Sequence, residues 1–312
     1  MELEDRISRR VKLRDLHMLE ALSRHGSMAK AATELAISQA AVSKAVSEME
    51  RLLEFPVLER SPRGIRLTEA GNVLLGRARI VFDEIACGLR DVSALTDPAA
   101  GRVRVGIPEP QVGLLSRVID RTTSSFPGIV LEIVVSDGES LLRLLRQREL
   151  DLVVARHAAS GDHPDLDART LHESPLVVLA AKSHPLATRR RLKLGDLSRE
   201  RWTLSPSSSP LGLIVARTFS AEGMQVPAAA VTALSIYMRL ALVSGGRFLT
   251  MVPQATAEHS LVRGWAKALP VPLAPAPGSV CLIRLKRRNP IGAVSTFCRL
   301  LEEGIGEYRA GR

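Results

Sequence analysis

Residues 27–53 read Ser27-Met28-Ala29-Lys30-Ala31-Ala32-Thr33-Glu34-Leu35-Ala36-Ile37-Ser38-Gln39-Ala40-Ala41-Val42-Ser43-Lys44-Ala45-Val46-Ser47-Glu48-Met49-Glu50-Arg51-Leu52-Leu53, and the fold of the N-terminal region turns on them. Serine stands twice, at Ser27 and Ser38, where a side-chain oxygen can cap the first turn of a helix. Behind Ser27, Ala31, Ala32 and Leu35 make a short stripe of mostly small apolar side chains. Behind Ser38, Val42, Val46, Met49 and Leu53 recur at intervals of four, three and four, which puts them on one helical face. Only Ala36-Ile37-Ser38 lies between the two. Two helices across so short a turn, the second the longer, predict a helix-turn-helix.

Working outward, Leu13, Leu16, Leu19 and Leu22 recur at every third position and predict a preceding amphipathic helix, ended by Gly26 as its C-cap. Downstream, Pro56 is expected to end the third helix. Val57–Arg60 and Gly64–Leu67 then read as two short strands, with Ser61-Pro62-Arg63-Gly64 as the tip of a hairpin wing. Thr68 caps a helix running to about Leu95. Its apolar positions Leu74, Ala78, Val81, Ile85, Val92 and Leu95 approximate a heptad, with Gly88-Leu89 at the middle position. Some 28 residues would reach ~42 Å. A seam of that length calls for a partner helix, and packing on its own domain is the alternative. Asp97-Pro98-Ala99-Ala100-Gly101 ends it as a hinge.

From Arg102 onward strands and helices alternate. Strands are expected at 103–107, 129–135, 152–154, 176–181, 202–204, 248–252 and 280–285. Helices are expected at 114–123, 140–148, 211–221 and 235–244. That order predicts an α/β domain with largely parallel sheets, and about 210 residues of it suggest two lobes.

Several stretches together resemble the LysR-type transcriptional regulators. They are Gly26–Ala32, Ile37–Ser43, Met49-Glu50, Leu58-Glu59-Arg60 and Leu67-Thr68-Glu69-Ala70-Gly71, spaced as in that family over about 60 residues. Beyond them, Val103–Ile107, Phe126-Pro127, Leu150-Asp151-Leu152, Leu242-Val243 and Val252-Pro253 resemble its effector domain more loosely. The words around Ser27–Ala32 and Val42–Met49 also resemble the branch of sugar-responsive regulators of a galactose-binding protein gene. The sequence departs from the family at Ala40, commonly proline, and at Glu54 and Phe248, commonly glycine. The resemblance implies an α/β chain in three parts. A winged helix-turn-helix occupies residues 1–67 and a linker or dimerisation helix 68–97. A two-lobed, periplasmic-binding-protein-like effector domain occupies 102–312, with lobe I at about 102–172 plus the C-terminal segment and lobe II at about 173–270. It also implies a homodimer or homotetramer on double-stranded DNA, whereas the sequence itself supports only more than one copy.

A recognition helix presents its N-terminal residues to base edges in the major groove, here Ser38, Gln39, Ala40, Ser43 and Lys44. The Gln39 amide can bond adenine N6 and N7 together, and the Ala40 methyl can meet a thymine methyl. Ser27 offers a hydroxyl and helix N-terminal N–H groups to phosphate. Arg63, at the wing tip, is placed for a narrow minor groove or else is a solvated turn charge. In the effector domain the loops after strands are Pro108-Glu109-Pro110 and Ser205–Ser209. With Gly246 in the segment 244–248 they outline a cleft, and Pro108, Glu109, Pro110, Ser205, Ser207, Ser208 and Gly246 are its candidate ligand contacts. The serine run reads equally as an exposed loop. A sugar or an organic acid is the expected ligand class.

Charge does not argue for DNA. The formal charge of +10 lies wholly beyond residue 100: residues 1–100 hold 15 Lys/Arg and 15 Asp/Glu, and residues 101–312 hold 28 and 18. The basic runs Arg189–Arg191 and Lys286–Arg288 read as solvated faces. Hydrophobic residues at 46% and charged residues at 24% describe a globular chain. Its N-terminus has no apolar signal region and does not read as a signal peptide. Cys87, Cys281 and Cys298 form no zinc or disulfide pattern, which fits a reducing cytoplasm. The histidines show no metal spacing, and there is no nucleophile elbow, phosphate loop or dinucleotide fingerprint. No cofactor and no catalytic centre are therefore expected. The rival reading is a solute-binding protein or sugar-handling enzyme whose N-terminal helices only dimerise it.

Overall fold

The computed structural model describes residues 10–61, 64–97, 100–157, 163–275, 279–286 and 291–310. The chain divides into two compact units, one up to Leu89 and the other from Arg90.

In the first unit, α1 (Leu13–His25), α2 (Met28–Glu34) and α3 (Gln39–Leu53) precede a hairpin of β1 (Leu58–Ser61) and β2 (Gly64–Leu67), and α4 (Glu69–Thr96) follows. The stripe of α1 differs from the every-third-leucine reading. Met18, Leu19, Ala21 and Leu22 are buried, whereas Leu13 is 49% exposed and Leu16 only half-buried. Real helical periodicity near 3.6 turns a strict three-residue repeat off the core face within two turns. On α3 the buried residues are Val42, Val46, Met49, Leu52 and Leu53, and all of these but Leu52 make one core with α1, Ala31, Ala32, Val57 and Leu75.

Glu54, not Pro56, closes α3: it takes a left-handed conformation, φ 64°, and its N–H reaches the Glu50 carbonyl at 2.8 Å. The chain then bends into β1 around two side chains. The Glu50 carboxylate accepts from the Val57 and Leu58 N–H groups at 2.8 and 3.2 Å. Thr68 Oγ1 donates to the Pro56 carbonyl at 2.8 Å and accepts from Gly71 N–H at 3.0 Å. Gly71 lies so close to Val57 that a Cβ there would fall 2.1 Å from the Val57 carbonyl oxygen. The wing is tied to the end of α1, since Ile65 N–H donates to the Gly26 carbonyl at 3.0 Å.

The second unit is two-lobed. Lobe I is a five-stranded mixed sheet in the order β4 (Ile129–Val135), β3 (Gly101–Ile107), β5 (Leu152–His157), β12 (Ser279–Leu285), β6 (Leu166–His172). The first three strands are parallel, and β12 runs antiparallel to both its neighbours. Helices α5 (Val112–Ser125) and α11 (Gly292–Ala310) cover one face and α6 (Gly138–Arg146) the other. That double cover explains the unbroken apolar run at Leu152–Ala155, whose side chains enter the two cores in turn. The Leu150-Asp151-Leu152 word has its own reason. Asp151 is buried and takes a forked pair with Arg104, 2.9 Å at Nη2 and 3.3 Å at Nε, plus the Arg104 N–H at 2.8 Å.

Lobe II corrects the expectation of parallel sheets. Its three-stranded sheet, β10 (Thr250–Pro253), β7 (Leu176–Ala181), β11 (Ala266–Ala268), is antiparallel throughout. Parallel pairing there is confined to β8 (Thr203–Leu204) with β9 (Val231–Thr232) and to the Trp202–Leu249 bridge. Helices α7 (Pro210–Ala221), α8 (Ile236–Ser244), α9 (Gln254–Glu258) and α10 (Ser260–Arg263) complete it.

Candidate nucleic-acid interface and effector cleft

The turn between α2 and α3 is tight: Ala36 takes φ 53° and Ile37 N–H returns to the Ala32 carbonyl at 3.0 Å. Ser38 is the N-cap of α3, its Oγ accepting from Ala41 N–H at 3.1 Å. Gln39, Ala40, Ser43 and Lys44 are all exposed, while Val42, Val46 and Met49 between and beyond them are buried. One side of the helix is therefore core and the other is an open row of an amide, a methyl, a hydroxyl and an ammonium. Ser27 caps α2, accepting from Lys30 N–H at 3.5 Å, and is half-buried. Four of the predicted contacts thus share the first two turns of α3, with Ser38 as its cap and Ser27 at the neighbouring helix start. Arg63 lies outside the described residues.

Glu34, at the end of α2, is engaged by Arg24 at 2.9 Å and by the His25 ring. The His25 hydrogen bond, helped by the Arg24 charge, holds its carboxyl below the usual range. This acid near the turn is committed to the end of α1, a pairing that the sequence pattern does not single out.

In the second unit, Pro108 starts a short 3-10 turn, Glu109–Gln111, directly after β3. The Glu109 carboxylate reaches lobe II. Oε1 accepts from the Ser235 hydroxyl at 3.1 Å and the Tyr237 N–H at 3.3 Å, and Oε2 from the Ile236 N–H at 2.7 Å. It thereby covers the N-terminus of α8. The Pro110 carbonyl accepts from Thr256 Oγ1 at 3.3 Å. Ser205 follows Leu204, whose carbonyl accepts from Ala233 N–H at 3.0 Å, two residues before Ser235. So Pro108–Pro110 and the start of the serine loop meet around 233–237. Ser205 is buried, and Ser207 and Ser208 are exposed. Ser209 is used as the N-cap of α7, accepting from Gly212 N–H at 3.1 Å.

Gly246 does not join them. It follows the C-terminus of α8, about 13 Å of helix away from Glu109. Its α-carbon packs toward Ser183, at the far end of β7.

Beneath the cleft, on the first turn of α8, Arg239 is 1% exposed. Its Nη1 donates to Thr250 Oγ1 at 3.2 Å and to the Met251 carbonyl at 3.1 Å. Its Nε has no hydrogen-bond partner among the described residues, and neither has the buried Thr203 Oγ1. Burial pushes the guanidinium down to about 10, and the Glu109 charge opposes that fall. Sequence patterning could not find Arg239, which stands in an otherwise apolar helix with no motif around it.

A separate cavity of about 230 Å³ is lined by Gly113, Leu114, Arg117, Val118, Arg121, Ala255 and Gly304. It lies along α5, and Arg121 pairs there with Glu303 at 3.3 Å. Among the described residues no cluster of three or more His, Cys, Asp or Glu could hold a metal ion. No helix among them is long and apolar enough to cross a membrane.

A winged helix-turn-helix joined to a two-lobed α/β unit defines a class of DNA-binding regulators with a small-molecule-binding domain. Comparison with known families fits both parts. The family of bacterial regulatory helix-turn-helix proteins of LysR type matches residues 13–72, and the LysR substrate binding domain matches 96–306. The chain belongs to the LysR family: it is a DNA-binding transcriptional regulator with a domain for a small-molecule effector. Among its relatives is the SDS degradation transcriptional activation protein of a Pseudomonas strain, 29% identical over 95% of this chain and 94% of that protein. The regulator GbpR of Rhizobium radiobacter is 27% identical over 78% of this chain and 82% of its own length. The fold matches full-length OxyR of Pseudomonas aeruginosa with a TM-score of 0.68 at 21% identity, covering 95% of this chain and 94% of that one. It also matches CbnR complexed with its target DNA, at a TM-score of 0.56 and 22% identity, over 95% and 100%.

Proposed function

We propose that this regulator reads its operator through Ser38, Gln39, Ala40, Ser43 and Lys44, with Ser27 and Arg63 on the phosphate backbone and minor groove. Residues 1–67 form the DNA-binding part, 68–97 the dimerising linker and 102–312 the effector domain. It works in the cytoplasm as a homodimer or homotetramer, has no catalytic activity and needs no cofactor. Its effector sits between the lobes, against Pro108–Pro110, Ser205, Ser207 and Ser208. Gly246 is left out of that set.

The observation that carries the reading is the division of α3, which buries Val42, Val46 and Met49 and leaves Gln39, Ala40, Ser43 and Lys44 open. A helix held so firmly by one side and so polar on the other is suited to a groove lined with base edges. The test is a gel-shift titration with duplex DNA from upstream of the protein's own gene. A bidentate amide–adenine contact is worth roughly 1–3 kcal/mol, so Gln39→Ala should weaken binding about tenfold or more. Unchanged binding by that variant would remove Gln39 from the interface.

A further inference from the structure

Two features meet at the inter-lobe cleft. The first-turn N–H groups of α8 form a site that ordinarily favours an anion. Beneath them lies Arg239, a buried cation on the same turn whose Nε has no hydrogen-bond partner among the described residues. A cleft of this make would be expected to select organic acids. Here the place is already taken: Glu109, from lobe I, puts both carboxylate oxygens on the Ser235 hydroxyl and the Ile236 and Tyr237 N–H groups.

We propose that Glu109 is the specificity-determining residue of the cleft, a resident carboxylate that occupies the anion position and restricts the effector to molecules presenting O–H or N–H donors. This rests on the reading of the inter-lobe cleft as the effector site. The resident carboxylate satisfies donors that an acidic ligand would otherwise satisfy, so such a ligand must break charge-assisted hydrogen bonds before making its own. An ionised carboxylate has only acceptors to offer, so a ligand that adds to it must bring hydroxyl or ammonium donors. Ser205, Ser207 and Ser208, on the neighbouring loop, add hydroxyls that suit a polyhydroxylated ligand. Of the two ligand classes open at the level of sequence, a sugar fits this cleft and an organic acid does not.

Chemical rescue tests the assignment on the full chain. Thermal unfolding is followed for wild type, Glu109→Gly and Glu109→Gln in sodium acetate and in sodium chloride at equal ionic strength. Glu109→Gly vacates the anion position, and acetate should bind it at least tenfold more tightly than it binds wild type, raising the melting temperature above the chloride control. Glu109→Gln keeps the shape without the charge, should remain folded, and should show no such response. Two results would overturn the proposal: a folded Glu109→Gly that does not distinguish acetate from chloride, or wild type stabilised by acetate as strongly as the variant. Operator affinity of Glu109→Gly, measured with and without acetate, separates the underlying reading. If acetate binds the cleft and operator affinity does not respond, the cleft is not the regulatory site, although Glu109 holds the anion position.

Discussion

Glu54 closes the recognition helix in a conformation that a side chain resists. The left-handed region costs an L-residue about 1–2 kcal/mol relative to glycine, partly offset by the greater freedom that glycine loses on folding. With φ at 64°, Glu54→Gly should stabilise the first unit by about 1 kcal/mol, read as a rise in the urea midpoint at constant slope. Gly64 makes the opposite case. Its φ is 119°, and a Cβ there would sit 2.6 Å from the Gly26 carbonyl oxygen. Gly64→Ala should cost about 2 kcal/mol and loosen the wing from α1. Asp151 carries the same kind of weight in the second unit. It is 4% exposed at its side chain and satisfies Arg104 at three donors. Asp151→Ala removes those three acceptor contacts, leaves Arg104 Nη1 on the Arg148 carbonyl, and should destabilise the effector unit by about 2 kcal/mol, measured by calorimetry of the full chain.

At the scale of elements, α4 is two helices in energetic terms. Its first turns belong to the winged helix: Leu75 and Ala78 are buried, Arg79 pairs with Glu20 at 3.5 Å, and Phe82 meets the His17 ring edge-on at 5.2 Å. From Val81 on, the apolar positions Val81, Ile85 and Val92 are 40%, 43% and 63% exposed in the single chain. Three apolar side chains at near-heptad spacing on one exposed stretch of helix form a seam of the kind that pairs with a second copy. Val81→Asp/Ile85→Asp should shift the sedimentation coefficient toward the monomer while the chain keeps its helical circular dichroism.

Which elements were legible follows from how each is buried. The helices of the first unit declare themselves because each has one core face and a capping residue, as at Ser27, Ser38 and Thr68. Strand β6 escaped the pattern because it lies at a sheet edge. Asp167, Arg169 and their neighbours point into exposed ion pairs with Arg284 and Glu302, so there is no alternation to read. The final helix α11 did carry a signal, in Ala293, Phe297, Leu301 and Ile305 at intervals of four, and these fill the lobe I core. The cleft was legible only by position after a strand. That singles out Glu109 as a loop residue, but which N–H groups it would meet depends on lobe II, more than 120 residues away in sequence. Arg239 was invisible for the same reason, being defined by what surrounds it.

For the whole molecule, the distribution of charge shapes the account of DNA binding. The first hundred residues carry equal numbers of acidic and basic side chains, 15 of each. Nonspecific affinity for duplex DNA comes mainly from phosphate neutralisation, so one such unit has little to draw on. Two units on two half-sites gain through the effective concentration that a shared linker supplies. The central claim is that the helix-turn-helix reads its operator only as a pair. Fluorescence anisotropy titration of an upstream fragment, at fixed salt, with wild type and Val81→Asp/Ile85→Asp, tests it most directly. The account predicts tight binding by wild type and at least a tenfold loss for the monomeric variant. A monomer that binds the same fragment as tightly as wild type would contradict it.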